Sequence, residues 1–137
     1  MPLANAQITD GATTLSLTIT GGSAISFTDL GSPSVGKKTL MVASDTDERT
    51  RRYLDVTVKS PTIDATKPNG FTQSRKTVRL RKPKTLANGK VAVNTIEITI
   101  ATDVETTQTD YQNLIQDGAQ LIMDADFLNL WKLGAIA

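Results

Sequence analysis

Two stretches of this chain alternate so strictly between apolar and polar side chains that a sheet with two unlike faces is the natural way to accommodate them. Residues 51–59 read RRYLDVTVK and residues 74–82 read SRKTVRLRK. A strand sends successive side chains to opposite faces. Leu54, Val56 and Val58 therefore point one way, and Tyr53, Asp55, Thr57 and Lys59 the other. In the second stretch Val78 and Leu80 point inward, and Arg75, Thr77, Arg79 and Arg81 outward. If the two stretches pair as an antiparallel ribbon, one surface is apolar and the opposite one is cationic and rich in hydroxyls.

The same reading extends to other segments. Residues 13–20 (TTLSLTIT) place Leu15, Leu17 and Ile19 on one side, Gly21-Gly22 is a hairpin signal, and residues 23–28 (SAISFT) return with Ile25 and Phe27. This predicts an N-terminal β-hairpin over 13–28. Residues 29–36 are loop by their Gly, Pro and Ser content, and 38–43 form a short strand. Pro61 ends the 51–59 strand, 60–73 is a long connection, Pro83 marks the end of the 74–82 strand, and Asn88-Gly89 is a turn. Residues 90–101 (KVAVNTIEITIA) form a long strand with Ile96, Ile98 and Ile100 on one side and Val93, Thr95, Glu97 and Thr99 on the other.

The last third changes period. Asp103 is placed to cap a helix over 104–120, with Tyr111, Leu114, Ile115, Gly118 and Ile122 at helical spacing; Gly118 weakens or breaks it. Asp124 is placed to cap a second short helix and Gly134 to stop it. Strands followed by helices predict one α+β domain spanning 1–137: a hairpin over 13–28, an antiparallel sheet of about five strands over 38–101, and two helices over 103–134. Ile122, Phe127, Leu128, Leu130, Trp131 and Leu133 exceed the apolar surface a short terminal helix needs for itself. That helix is either buried in its own subunit or packed on another. Ile122, Phe127, Leu128 and Trp131 are the candidate dimer-interface residues.

Charge narrows the function. Residues 49–90 hold 12 of the 15 Lys and Arg but only Asp55 and Asp64 as acids, so a net charge of +1 conceals a basic middle segment. Residues 75–84 carry six basic side chains and no acid, a run that calls for a counter-charge. Two readings stand: the segments neutralise one another within the fold, or the basic face meets a polyanion. Arg and Lys neutralise phosphates, Thr hydroxyls donate to phosphate or base edges, and Tyr53 is placed to stack on an unpaired base. The alternatives are a solvated outer face and, for Tyr53, a half-exposed packing residue. The polyanion reading requires Arg75, Arg79 and Arg81 to be gathered on one side and free of acids from the same subunit.

Composition excludes other classes. The chain has no Cys and no His, which removes disulfides, thiolate chemistry, the commonest general base and the commonest zinc ligand. No nucleotide-binding or hydrolase motif occurs. Asp45, Asp47 and Glu48 cluster in a polar turn, where a solvated turn outweighs a metal site. No enzyme, cofactor or metal is expected. The start, MPLANAQITDG, lacks a basic region and a long apolar run, and no stretch approaches ~18 apolar residues. Neither a secretory signal nor a membrane span is expected, and the protein is expected to fold in the cytoplasm of the cell that makes it.

RRYLDVTVKSP, SRKTVRLRKPK and NTIEITIA, followed by two short helices, together resemble the coat proteins of single-stranded RNA bacteriophages, the leviviruses. The resemblance implies a two-fold dimer in which two sheets join edge to edge and each subunit's helices lie over the partner's sheet. It implies assembly in the bacterial cytoplasm into an icosahedral shell, usually T=3, with the bare sheet face toward the genome and a maturation protein as virion partner. One genomic RNA hairpin would bind that face and repress translation. By position, Thr57 and Lys59 match RNA-facing sites on the first strand. Thr77 and Arg79 match a Thr and a Lys that contact RNA, Arg75 a further basic contact, and Thr95 and Glu97 sites on the next strand. With Tyr53 and Arg81 these are the candidate RNA-binding residues. Val93 stands where relatives have a stacking Tyr, and Asp55 where they have a neutral hydroxyl residue. The 83–90 segment is shorter than the loop relatives place around their symmetry axes. The longer 60–73 loop is expected to decorate the exterior or make compensating contacts. A free RNA-binding regulator without a shell is the alternative that shares the basic face.

Overall fold

The computed structural model describes residues 5–12, 14, 16 and 18–134, and its chain divides into two compact units, one of residues 21–104 and one of residues 1–20 with 105–137.

The 21–104 unit is a five-stranded antiparallel meander: β1 (Phe27–Asp29), β2 (Lys37–Val42), β3 (Tyr53–Lys59), β4 (Ser74–Thr85) and β5 (Val91–Thr102), in that order across the sheet. The predicted 13–28 hairpin is described only in part, since Thr13, Leu15 and Leu17 lie outside the described residues. Residues 18–26 are not strand. Phe27 instead starts the edge strand, pairing forward with Val42 of β2. Gly21 and Gly22 keep positive φ, but among the described residues no strand flanks them on both sides.

Pro83 does not end β4, which runs on to Thr85 with Pro83 opposite Val93. The reason is a matter of edges. The Leu86 N–H bonds the Lys90 carbonyl at 2.7 Å, so even-numbered β4 residues aim their backbone groups at β5 and odd-numbered ones at β3. The β3 register stops at Tyr53 opposite Arg81. Pro83 therefore faces an unpaired edge, where its missing N–H breaks no ladder bond. The hairpin closes tightly through Asn88, which takes the Lys90 N–H, and Gly89 at φ 80.

Leu40, Leu54, Leu80 and Ile96 form one cross-strand row of the apolar face, and Val56, Val78 and Ile98 the next. This face is not a closed core. Val78, Ile98, Ile96 and Val58 are 38 to 50% exposed, and Val42 is the only buried hydrophobic side chain among the described residues.

In the other unit, α1 spans Gln108–Met123. Its cap is Thr107, not Asp103: the Asp110 N–H donates to Thr107 Oγ1 at 3.2 Å and the Thr107 N–H to Asp110 at 3.3 Å, a reciprocal capping box. Gly118 does not break the helix, which continues to Met123; the cost of an interior glycine is about 1 kcal/mol, well within what a 16-residue helix tolerates. A 3₁₀ turn over Ala125–Phe127, capped by Asp124 as predicted, leads into α2 (Leu128–Leu133), which Gly134 ends in the left-handed conformation at φ 69. The Phe127 and Trp131 rings stack at 6.3 Å. Near the start of the chain, Thr9 bonds Gln120 of α1 through both its N–H (2.7 Å) and its carbonyl (3.2 Å). No helix side chain is buried, and Leu128, Trp131 and Leu133 are 45, 60 and 77% exposed.

Candidate nucleic-acid interface

The register turns the alternation of single strands into rows across the polar face. Lys59 lies opposite Arg75. Next comes Lys37, Thr57, Thr77 and Thr99, then Thr39, Asp55, Arg79 and Glu97, then Met41, Tyr53, Arg81 and Thr95. All nine predicted RNA-facing residues therefore share one face, and Arg75, Arg79 and Arg81 are not scattered.

They are not equally available. Arg79 forms an ion pair with Glu97 at 2.8 Å, and Arg81 with Asp55 at 2.7 Å. The Arg81 guanidinium also lies 4.7 Å over the Tyr53 ring, and Thr39 donates to Asp55 at 3.2 Å. Two of the three arginines are thus engaged by acids of the same subunit, contrary to what the sequence reading required. The counter-charge for the basic run is partly supplied within the sheet. Lys76, Lys82 and Lys84 account for the other half of that run, and their even positions put them on the opposite face.

Positive charge without an ion-pair partner on this face gathers at one end. Neither Lys59 nor Arg75 is among the ion pairs of the described residues, and neither is Lys37, which sits beside the Thr57, Thr77 and Thr99 row. Thr77 and Thr99 hydroxyls are 3.1 Å apart, so one proton of the pair stays available to an acceptor. The face carries five basic and two acidic residues, Asp55 and Glu97. Sequence reasoning missed Lys37, which shares the parity of Thr39; only the β2–β3 register shows that it adjoins Thr57.

Tyr53 is half-buried, with one ring face against Arg81. Its geometry fits a packing residue more than a base platform. The acidic turn between β2 and β3 is structural. Asp45 accepts from the Arg52 backbone N–H and both sides of its guanidinium fork at 2.9 to 3.0 Å, and these bonds hold its carboxyl down at about 2. Asp47 is similarly turned onto Arg49.

No protein-family model and no curated protein matches the chain. Solved structures do. The chain of the virus-like particle of bacteriophage GQ-907 is 32% identical, over 98% of this chain and 99% of that one, with a TM-score of 0.83. The virus-like particle of Wenzhou levi-like virus 4 aligns over 88% and 84% of the two chains at 19% identity and a TM-score of 0.66. That of Beihai levi-like virus 32 aligns over 85% and 91% at 16% identity and a TM-score of 0.68. The last two share the fold.

Proposed function

This chain belongs to the coat-protein family of the single-stranded RNA bacteriophages, and from that premise we propose that it is a capsid protein that dimerises, closes into an icosahedral shell and holds RNA against its polar sheet face. Its role is structural rather than catalytic.

The observation that carries this reading is the two-sidedness of the sheet. One face is net basic and hydroxyl-rich, suited to phosphates. The other is apolar and half-exposed, as are the apolar side chains of α1 and α2. Covering such surfaces contributes about 25 cal/mol per Å², which favours a second copy as the cover. β5 supports edge-to-edge joining: it is a 12-residue strand at the end of the sheet order, with no neighbour on its outer side among the described residues. A long free edge is a template for pairing. In this arrangement Ile122, Phe127, Leu128 and Trp131 pack across the two-fold, and Lys37, Lys59, Arg75, Thr57 and Thr77 line the interior. Binding of one genomic hairpin there would repress translation and mark the genome for packaging.

Expression of the full chain in bacteria, followed by size-exclusion chromatography and electron microscopy, tests the proposal. Closed particles with co-purified RNA are expected. Monomers or small oligomers free of nucleic acid would overturn it.

A further inference from the structure

The 60–73 loop folds on itself rather than spanning loosely. Ile63 bridges Phe71, the Thr72 N–H bonds the Thr62 carbonyl at 2.8 Å, and the Thr62 N–H returns to Thr72 Oγ1 at 2.9 Å. Asn69 accepts the Phe71 N–H at 3.1 Å and donates its amide to Asp103, just past the end of β5. These bonds hold the loop over a cavity of about 470 Å³ at the open ends of β3 and β4. Ligand pockets run roughly 300–1,000 Å³.

The lining is specific in its chemistry. Lys59, Lys67 and Arg75 supply three cations, Asp103 one acid, and Phe71 an aromatic ring. Phe71 is 40% exposed although it stands in an ordered bridge. Lys59 and Arg75 are two of the three polar-face cations outside the ion pairs described above, the third being Lys37. One register step past Ser74 and Thr102 brings Gln73 opposite Asp103, on the parity of Arg75. The cavity therefore continues the polar face at its most basic end.

From this we propose that the cavity under the 60–73 loop is a subsite for one unpaired nucleotide, its phosphate held by Lys59, Arg75 and Lys67 and its base stacked on Phe71. Bases of any identity stack on an aromatic ring, so the subsite is tolerant of sequence and suits the single-stranded stretches of a packaged RNA. A preformed loop lowers the ordering cost of such binding. The inference rests on the reading of the sheet face as RNA-facing, and it deepens that reading by adding Phe71 and Lys67, which lie outside the strands.

Two measurements on the full-length protein test it. The first is binding of a fluorescent decamer of uridine, which has little structure of its own. Phe71→Ala is expected to weaken it about tenfold, with Phe71→Trp near wild type. The second is ultraviolet crosslinking of wild-type protein to its co-purified RNA with peptide mapping, which is independent of any variant's folding; an adduct on the peptide containing Phe71 is expected. Unchanged decamer affinity in Phe71→Ala, with Lys37→Ala weakened, would overturn the subsite and leave the sheet-face reading standing. Adducts confined to β3, β4 and β5 peptides would do the same. Wild-type protein that binds neither decamer nor cellular RNA would overturn both.

Discussion

Arg79 lies directly across β4 and β5 from Glu97, and a 2.8 Å ion pair joins them with both side chains nearly half exposed. An exposed pair of this kind contributes about 0–1 kcal/mol, so its effect on the fold is small. Its effect on the face is larger, because it withholds one cation from any polyanion. Glu97→Gln should free Arg79 at little cost in stability. RNA affinity should rise, and the slope of log K against log salt should steepen by about one counterion. Filter binding across a salt series checks this; an unchanged slope would remove Arg79 from the RNA surface.

Asp45 makes a different use of the same chemistry. Its carboxyl is lowered from 3.8 to about 2 by bonds from the Arg52 side chain and then the Arg52 backbone. A carboxyl depressed in the fold contributes stability that is fully present above its unfolded value and is lost as pH falls through the folded one. Asp45→Asn should therefore lower the melting temperature at neutral pH. The gap to wild type should shrink below pH 3.8 and close once the pH has fallen below about 2. Thermal melts over that range check it; a gap that persists at the acid end would show that shape, not charge, is what Asp45 supplies.

Arg79 and Asp45 also show what was legible in the sequence. Alternation within each strand is a local property, so the two faces, the long β5 and the Asp124 and Gly134 signals could be read along the chain. Which acid meets which arginine is set by register between strands, which periodicity does not encode. The parity of Glu97 places it on the polar face, but only the register shows that it is the partner of Arg79. The cap at Thr107 was hidden by an earlier acid, Asp103, which accepts from Asn69 instead. Pro83 misled because its meaning depends on whether β3 still runs alongside.

Gly36 is a position where the backbone itself is committed. It holds φ +76 at the entrance to β2, and a Cβ there would meet the Val58 carbonyl oxygen at 2.5 Å. The same two residues are joined by the Val58 N–H to Gly36 carbonyl bond at 2.7 Å. Gly36→Ala combines a strained conformation, costing about 1–3 kcal/mol, with a backbone clash that no rotamer relieves. A fall in melting temperature of at least about 5 °C is expected. Gly89→Ala, which meets nothing within 4 Å, shares the strain but not the clash and should lose less. Equal losses would mean that the Val58 contact is relaxed in solution.

The apolar faces make the sharpest prediction. Ile98 sits in the row with Val56 and Val78, 45% exposed, and Trp131 is 60% exposed. If these surfaces are free in the functional protein, a charge at Ile98 meets water and changes little. If a second copy covers them, Ile98→Lys buries an unpaired ammonium against hydrocarbon, which costs several kcal/mol. Trp131→Ala should remove about 1.5–3 kcal/mol of burial on association, weakening a dimer roughly 10- to 100-fold. Sedimentation equilibrium should show Ile98→Lys as monomer with strand circular dichroism retained, and electron microscopy should show no particles. Thr99→Lys, on the polar face of the same strand, is the control and should still associate. Ile98→Lys protein that dimerises and closes into shells like wild type would mean that this side of the sheet is not the interface.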